Sequence, residues 1–120
     1  MKSKVDRFEE LIVWKESREL NRLAFEALKN CNSFFFRDQA LRSALSISSN
    51  IAEGFKRNGN KEFIRFLYIA KASCGELRSQ IYLGLDTEIF TPDIADPLII
   101  QCKRVSFLIF QLIKSLSSFT

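Results

Sequence analysis

Along most of the chain, apolar residues return every third or fourth position, the spacing of helices that bury one face. No stretch alternates apolar and polar residues as a half-buried strand does. The first periodic segment is predicted to run from Arg7 to Cys31, with Val13, Ser17, Leu20, Ala24 and Leu28 on its inner stripe. Asp6, followed three residues later by Glu9, has the form of a capping box. The second helix is predicted over Arg37 to Lys56, with Leu41, Ala44, Leu45, Ser48, Ile51, Ala52 and Phe55 on one face. The third, from Lys61 to Leu85, carries Phe63, Leu67, Ala70, Cys74, Leu77 and Ile81 in strict alternation of four and three. That is the cleanest packing seam in the sequence. The fourth contains "PLIIQCKRVSFLIFQLIKSL". Both Thr91-Pro92 and Asp96-Pro97 resemble a cap followed by a first-turn proline. The main helix is expected to start at Pro97, because a proline inside a helix removes one of its hydrogen bonds.

The connections are short. Phe34, Phe35 and Phe36 fall in the first and are expected to plug one end of the molecule. "RNGN" makes the second, with Asn60 as the N-cap of the third helix. Four helices so joined predict an all-α, antiparallel up-down-up-down four-helix bundle forming a single domain over residues 1–120. Trp14, Leu20, Phe66, Leu77 and Leu112 are expected to be largely buried.

Composition agrees with this picture and narrows it. A chain of 120 residues suits one domain, and 47% apolar with 27% charged residues suits a folded, soluble one. No apolar run reaches the roughly 18 residues that a membrane span needs. The charged N-terminus "MKSKVDRFEE" has no hydrophobic region for secretion. A cytoplasmic setting without membrane contact is therefore expected. Cys31, Cys74 and Cys102 are far apart and odd in number, and the chain has no histidine. They read as buried reduced thiols, and no cofactor or metal is expected.

One stretch departs from a plain apolar stripe. "SISSNIAEGFKRN" places Asn50, Glu53 and Gly54 within the second helix. At about 100° per residue, Gln39, Arg42, Ser43, Ser46, Asn50, Glu53 and Arg57 fall on a face opposite the expected apolar set. Amides and hydroxyls suit a fixed polar contact with another helix better than free solvation does. Glycine at 54 would leave room for a second backbone. Gln39, Arg42, Ser46, Asn50, Glu53 and Gly54 are therefore the expected oligomer interface, with Arg42 as the ionic partner of Glu53. The bland alternative is a solvated polar face.

Three segments carry a family resemblance. "FEELIVWKESREL", "QALRSALSISSNIAEGFKR" and "KEFIRFLYIAKASCGELRSQI" resemble, in order and separation, the four-helix-bundle proteins encoded in intervening sequences of bacterial 23S rRNA genes. The Asn-Ile-Ala-Glu-Gly segment is the most specific of these motifs. The chain departs from the pattern in having a single arginine, Arg42, after Leu41. It also lacks a proline near Ser48 and reads Ala72-Ser73 where Gly-Ser is usual. The resemblance implies an antiparallel four-helix bundle and, as in some members, a ring-like homopentamer. A related group, the accessory proteins of diversity-generating retroelements, binds nucleic acid and a reverse transcriptase.

The residues argue against catalysis. Histidine bases, Cys–His pairs and phosphate-cradling glycine loops are all lacking. Glu53 and Glu76 are the best carboxylate pair, and a di-metal bundle site would need Glu-x-x-His motifs. A net charge of +4 is mild, but it is clustered. Lys56, Arg57, Lys61 and Arg65 gather around the second connection, and Lys2, Lys4 and Arg7 at the N-terminus. The first cluster is the predicted RNA- or DNA-binding site, which a ring would repeat in every subunit. Tyr68 and Tyr82 are expected on the outer face of the third helix. The alternative is a homo-oligomeric scaffold that binds another protein and no nucleic acid.

Overall fold

The computed structural model describes residues 5–118. A short 3-10 turn at Phe8–Glu10 precedes four helices: α1 (Ile12–Leu28), α2 (Phe34–Lys56), α3 (Asn60–Asp86) and α4 (Pro92–Ser117). No strand occurs among the described residues. The connections, 29–33, 57–59 and 87–91, are short, so successive helices run antiparallel. α3 packs most extensively, between α2 and α4; α1 closes the bundle against the same two helices and lies diagonal to α3. The result is a rod of 48 × 21 × 19 Å, one long helix in length and two helix diameters across.

The predicted seam of α3 forms the centre. Phe63, Leu67, Ala70, Cys74, Leu77 and Ile81 are all buried, and each large aliphatic side chain among them contributes roughly 1.5–3 kcal/mol. Val13, Ser17, Leu20, Ala24 and Leu28 of α1 are buried as expected. The polar member, Ser17, donates to the Trp14 carbonyl at 2.7 Å and meets the Ser48 hydroxyl of α2 at 3.0 Å. Leu20 and Leu77 are fully buried, whereas Trp14, Phe66 and Leu112 are half-buried at the edge of the core.

Five local expectations are corrected. Neither Asp6 nor any other side chain caps the first segment, and the chain passes through an extended Leu11 before α1 begins. Phe8 packs edge-on against Trp14, 5.2 Å between centroids, which folds this entry onto the bundle. α2 starts earlier than predicted, at Phe34, and only Phe36 plugs the end, 5.9 Å from Phe90. Phe36 is in phase with the buried Ala40, Ser43 and Ile47, while Phe34 and Phe35 fall outside that phase and are exposed. Asn60 is the first residue of α3, not its cap, and its side-chain amide donates to the Leu116 carbonyl at 3.5 Å.

α4 is the fourth correction: it runs unbroken from Pro92, with Pro97 inside it. Pro97 removes the bond to the Asp93 carbonyl, but both residues are exposed, so water can satisfy that oxygen. On the opposite side Ala95, Leu98 and Cys102 are buried and hold the turn in place. α2 is also rotated relative to its predicted apolar face. It buries the small residues Ala40, Ser43, Ala44 and Gly54 with Ile47 and Ile51, and leaves Leu45 exposed.

A basic corner as candidate functional site

α2 ends at Lys56 and α3 begins at Asn60, with Gly59 at φ 96° making the reversal between them. A side chain there would be strained, so the glycine permits this tight reversal. Lys56, Arg57, Lys61 and Arg65 are all exposed around this reversal. Phe66 lies between two of them: the guanidinium carbons of Arg57 and Arg65 stand 4.9 and 4.6 Å from its ring centroid. The Lys56 ammonium lies 5.7 Å from the Phe8 ring. Cations so placed over aromatic faces are held in position while their outer edges stay in water.

Carboxylates offset part of this charge. Arg57 pairs with Glu53 at 2.9 Å, and Arg65 with Glu62 at 3.1 Å. The hydrogen bond from Arg65 holds the Glu62 carboxyl below its ordinary range, so it is ionised at neutral pH. Lys61 makes no ion pair among the described residues. No side chain caps α3, so its leading backbone N–H groups open onto the same corner. Of the N-terminal cluster, Arg7 pairs with Glu10 at 3.6 Å, and Lys2 and Lys4 lie outside the described residues.

The polar insert of α2 is mostly used inside the chain. Its face points along the flank next to α3, not directly away from the core. Ser43 is buried, and the Ser46 hydroxyl meets that of Ser73 on α3 at 3.0 Å. The Asn50 side-chain amide donates to the Ser46 carbonyl at 2.8 Å. Gly54 is buried against Phe63 and Phe66 of α3, so the backbone it admits is that of its own chain, which corrects the expected reason for this glycine. Glu53 pairs with Arg57, not with Arg42. Gln39, Arg42 and Glu53 remain exposed.

Glu53 and Glu76 are both exposed on the surface. Among the described residues no group of His, Cys, Asp and Glu is placed to hold a metal ion. An open groove of about 230 Å³ between the start of α1 and α4 is lined by Leu11, Ile12, Val13, Leu108, Gln111 and Leu112, with nothing that titrates. All three cysteines are free. Burial pushes the Cys74 and Cys102 thiols up to about 12. No described helix is long and apolar enough to cross a membrane.

Sequence reasoning missed the polar clasp between α1 and α4. Gln101 donates to the Glu16 carbonyl and carboxylate at 3.0 and 2.8 Å, and Arg104 pairs with that carboxylate at 3.1 Å. Its signal was faint, since the partners are far apart in sequence.

These features define a small antiparallel four-helix-bundle protein with a basic corner. The chain belongs to the 23S rRNA-intervening sequence protein family, whose model matches residues 9–111. It is similar in structure to a protein of unknown function from the S23 ribosomal protein family of Bacteroides thetaiotaomicron VPI-5482. The two share 25% identity at a TM-score of 0.80, over 86% of this chain and 99% of the other. Comparison with curated proteins gives no match.

Proposed function

We propose that this protein is a non-catalytic, self-associating helical bundle that contacts RNA or DNA phosphates through the α2–α3 corner. The observation that carries this reading is the convergence of Lys56, Arg57, Lys61 and Arg65 on the uncapped start of α3. Phosphate is favoured there by cationic side chains, by free backbone N–H groups and by the positive end of the helix dipole. The ring faces of Phe66 and Phe8 are already covered by cations, so the corner suits the backbone of a nucleic acid better than its bases. A cytoplasmic setting goes with this reading. Self-association repeats the corner and raises avidity without any new kind of contact. Of the α2 set, Gln39, Arg42 and Glu53 are exposed and can meet another copy, as in a cyclic pentamer.

Replacing Lys56, Arg57, Lys61 and Arg65 with Ala together tests the corner. Binding should weaken by a similar factor for every nucleic-acid sequence. A plot of log affinity against log salt should flatten by roughly one unit per lost contact. Unchanged affinity and slope would instead favour a scaffold that binds another protein.

A further inference from the structure

We infer that the outer flank shared by α3 and α4 binds single-stranded nucleic acid, with bases stacked on Tyr68 and Phe107 and phosphates paired with Lys71, Lys103 and Lys114. This rests on the nucleic-acid part of the function above and names its substrate class: a single strand, RNA or DNA, in preference to a duplex.

Charge on this flank is one-sided. Residues 63–75 of α3 and 97–118 of α4 contain no carboxylate. Lys71, Lys103 and Lys114 lie in these stretches, and none of them makes an ion pair among the described residues. On α1, by contrast, Glu19 pairs with Arg22 and Glu26 with Lys29, one turn away. Cations with no acid beside them favour an anionic occupant.

Aromatic rings are set among these cations. Tyr68 and Phe107 are each 57% exposed. Neither ring packs on another aromatic ring or under a cation among the described residues. The Lys114 ammonium stands 5.7 Å from the Phe110 ring centroid, the same kind of seat that holds the cations of the corner.

Helix register orders these groups along the rod. On α3, Lys61, Arg65 and Tyr68 recur at spacings of four and three, and on α4, Lys103, Phe107, Phe110 and Lys114 recur at four, three and four. Each set is therefore one stripe on its helix. α3 and α4 run antiparallel, and two contacts give the same register between them. Asn60 donates to the Leu116 carbonyl at 3.5 Å, and Cys102 is near enough to Cys74 to push its thiol up further. On that register Lys61 comes level with Lys114, Tyr68 with Phe107 and Lys71 with Lys103, each to within about 3 Å along the axis. Cations, rings and cations thus follow one another away from the basic corner, as phosphates and bases alternate in an extended strand.

The uncovered rings select a single strand. In a duplex the bases stack on one another, so a protein ring outside it gains no stacking. A single strand offers its base faces, and stacking on aromatic side chains beside a cationic track holds it without regard to sequence. A lipid surface is matched instead by a continuous apolar face bordered by cations.

Fluorescence anisotropy with a labelled oligonucleotide tests this, as RNA and as DNA, each alone and annealed to its complement. The wild type should bind the single strands at least about tenfold tighter than the duplexes. Tyr68→Ala with Phe107→Ala should weaken single-strand binding at least about tenfold and abolish that preference. Lys103→Gln with Lys114→Gln should flatten the salt dependence of single-strand affinity by about 0.7 unit per lysine on log–log axes. All four side chains are exposed, so helicity by circular dichroism should be unchanged. Equal affinity for strand and duplex, or a preference that survives loss of both rings, overturns this assignment and leaves the corner standing. A wild type that binds neither form overturns both. Binding to phosphatidylserine vesicles that is lost with the two rings, while single-strand affinity stays the same, overturns it in favour of a lipid surface.

Discussion

A methyl group added at Gly54 would stand 2.6 Å from the Cβ of Phe66 and 3.3 Å from the Phe63 carbonyl. Both belong to the α3 backbone or its first side-chain atom, so neither can rotate away. Overpacking of this kind costs about 1–3 kcal/mol, more than the roughly 1 kcal/mol that alanine returns in helix propensity. Gly54→Ala should therefore lower the urea midpoint with an unchanged m-value. The strain falls on Phe66, the ring that seats Arg57 and Arg65, so nucleic-acid affinity should drop in the same variant. The glycine was legible in the sequence as a site of close approach. Which helix approaches was not, because a missing side chain records proximity and not the identity of the neighbour.

Between elements, the α3–α4 contact shields two thiols from solvent. Cys74 of α3 and Cys102 of α4 are 1% exposed, and each thiol is held protonated up to about 12 by burial. On native protein near pH 8, a thiol reagent should label Cys31, which is half-buried, and spare the other two until the chain is denatured. Raised thiol values also set a pH dependence. In the unfolded chain these thiols ionise near their ordinary value of about 8.5–9, while the folded chain keeps its protons. Folding stability should thus change little between pH 7 and 8 and decline above pH 9 as the unfolded state loses protons. Urea midpoints from pH 7 to 10.5 check this, and a midpoint that rises with pH would contradict it. The seam of α3 could be read in advance because large apolar residues repeat along it without interruption. The rotation of α2 could not: its inner face is built from Ala40, Ser43, Ala44 and Gly54, which carry little hydrophobic signal beside the exposed Leu45. Pro97 misled for a similar reason, since the cost of one bond is local and the burial of Ala95, Leu98 and Cys102 that outweighs it is tertiary.

At the scale of the whole molecule, the bundle places its basic corner at one end of a 48 Å rod. The corner residues were legible from their clustering in sequence; the seating of Arg57 and Arg65 on Phe66 was not, because it needs the crossing of two helices to bring them together. The most direct measurement of the central claim is ultraviolet cross-linking of the wild-type protein to bound RNA or DNA, with the modified peptides mapped by mass spectrometry. The account predicts adducts within residues 55–66, the segment that holds Lys56, Arg57, Lys61 and Arg65. Cross-links confined to α1 or to the outer face of α4, with none in that segment, would contradict it.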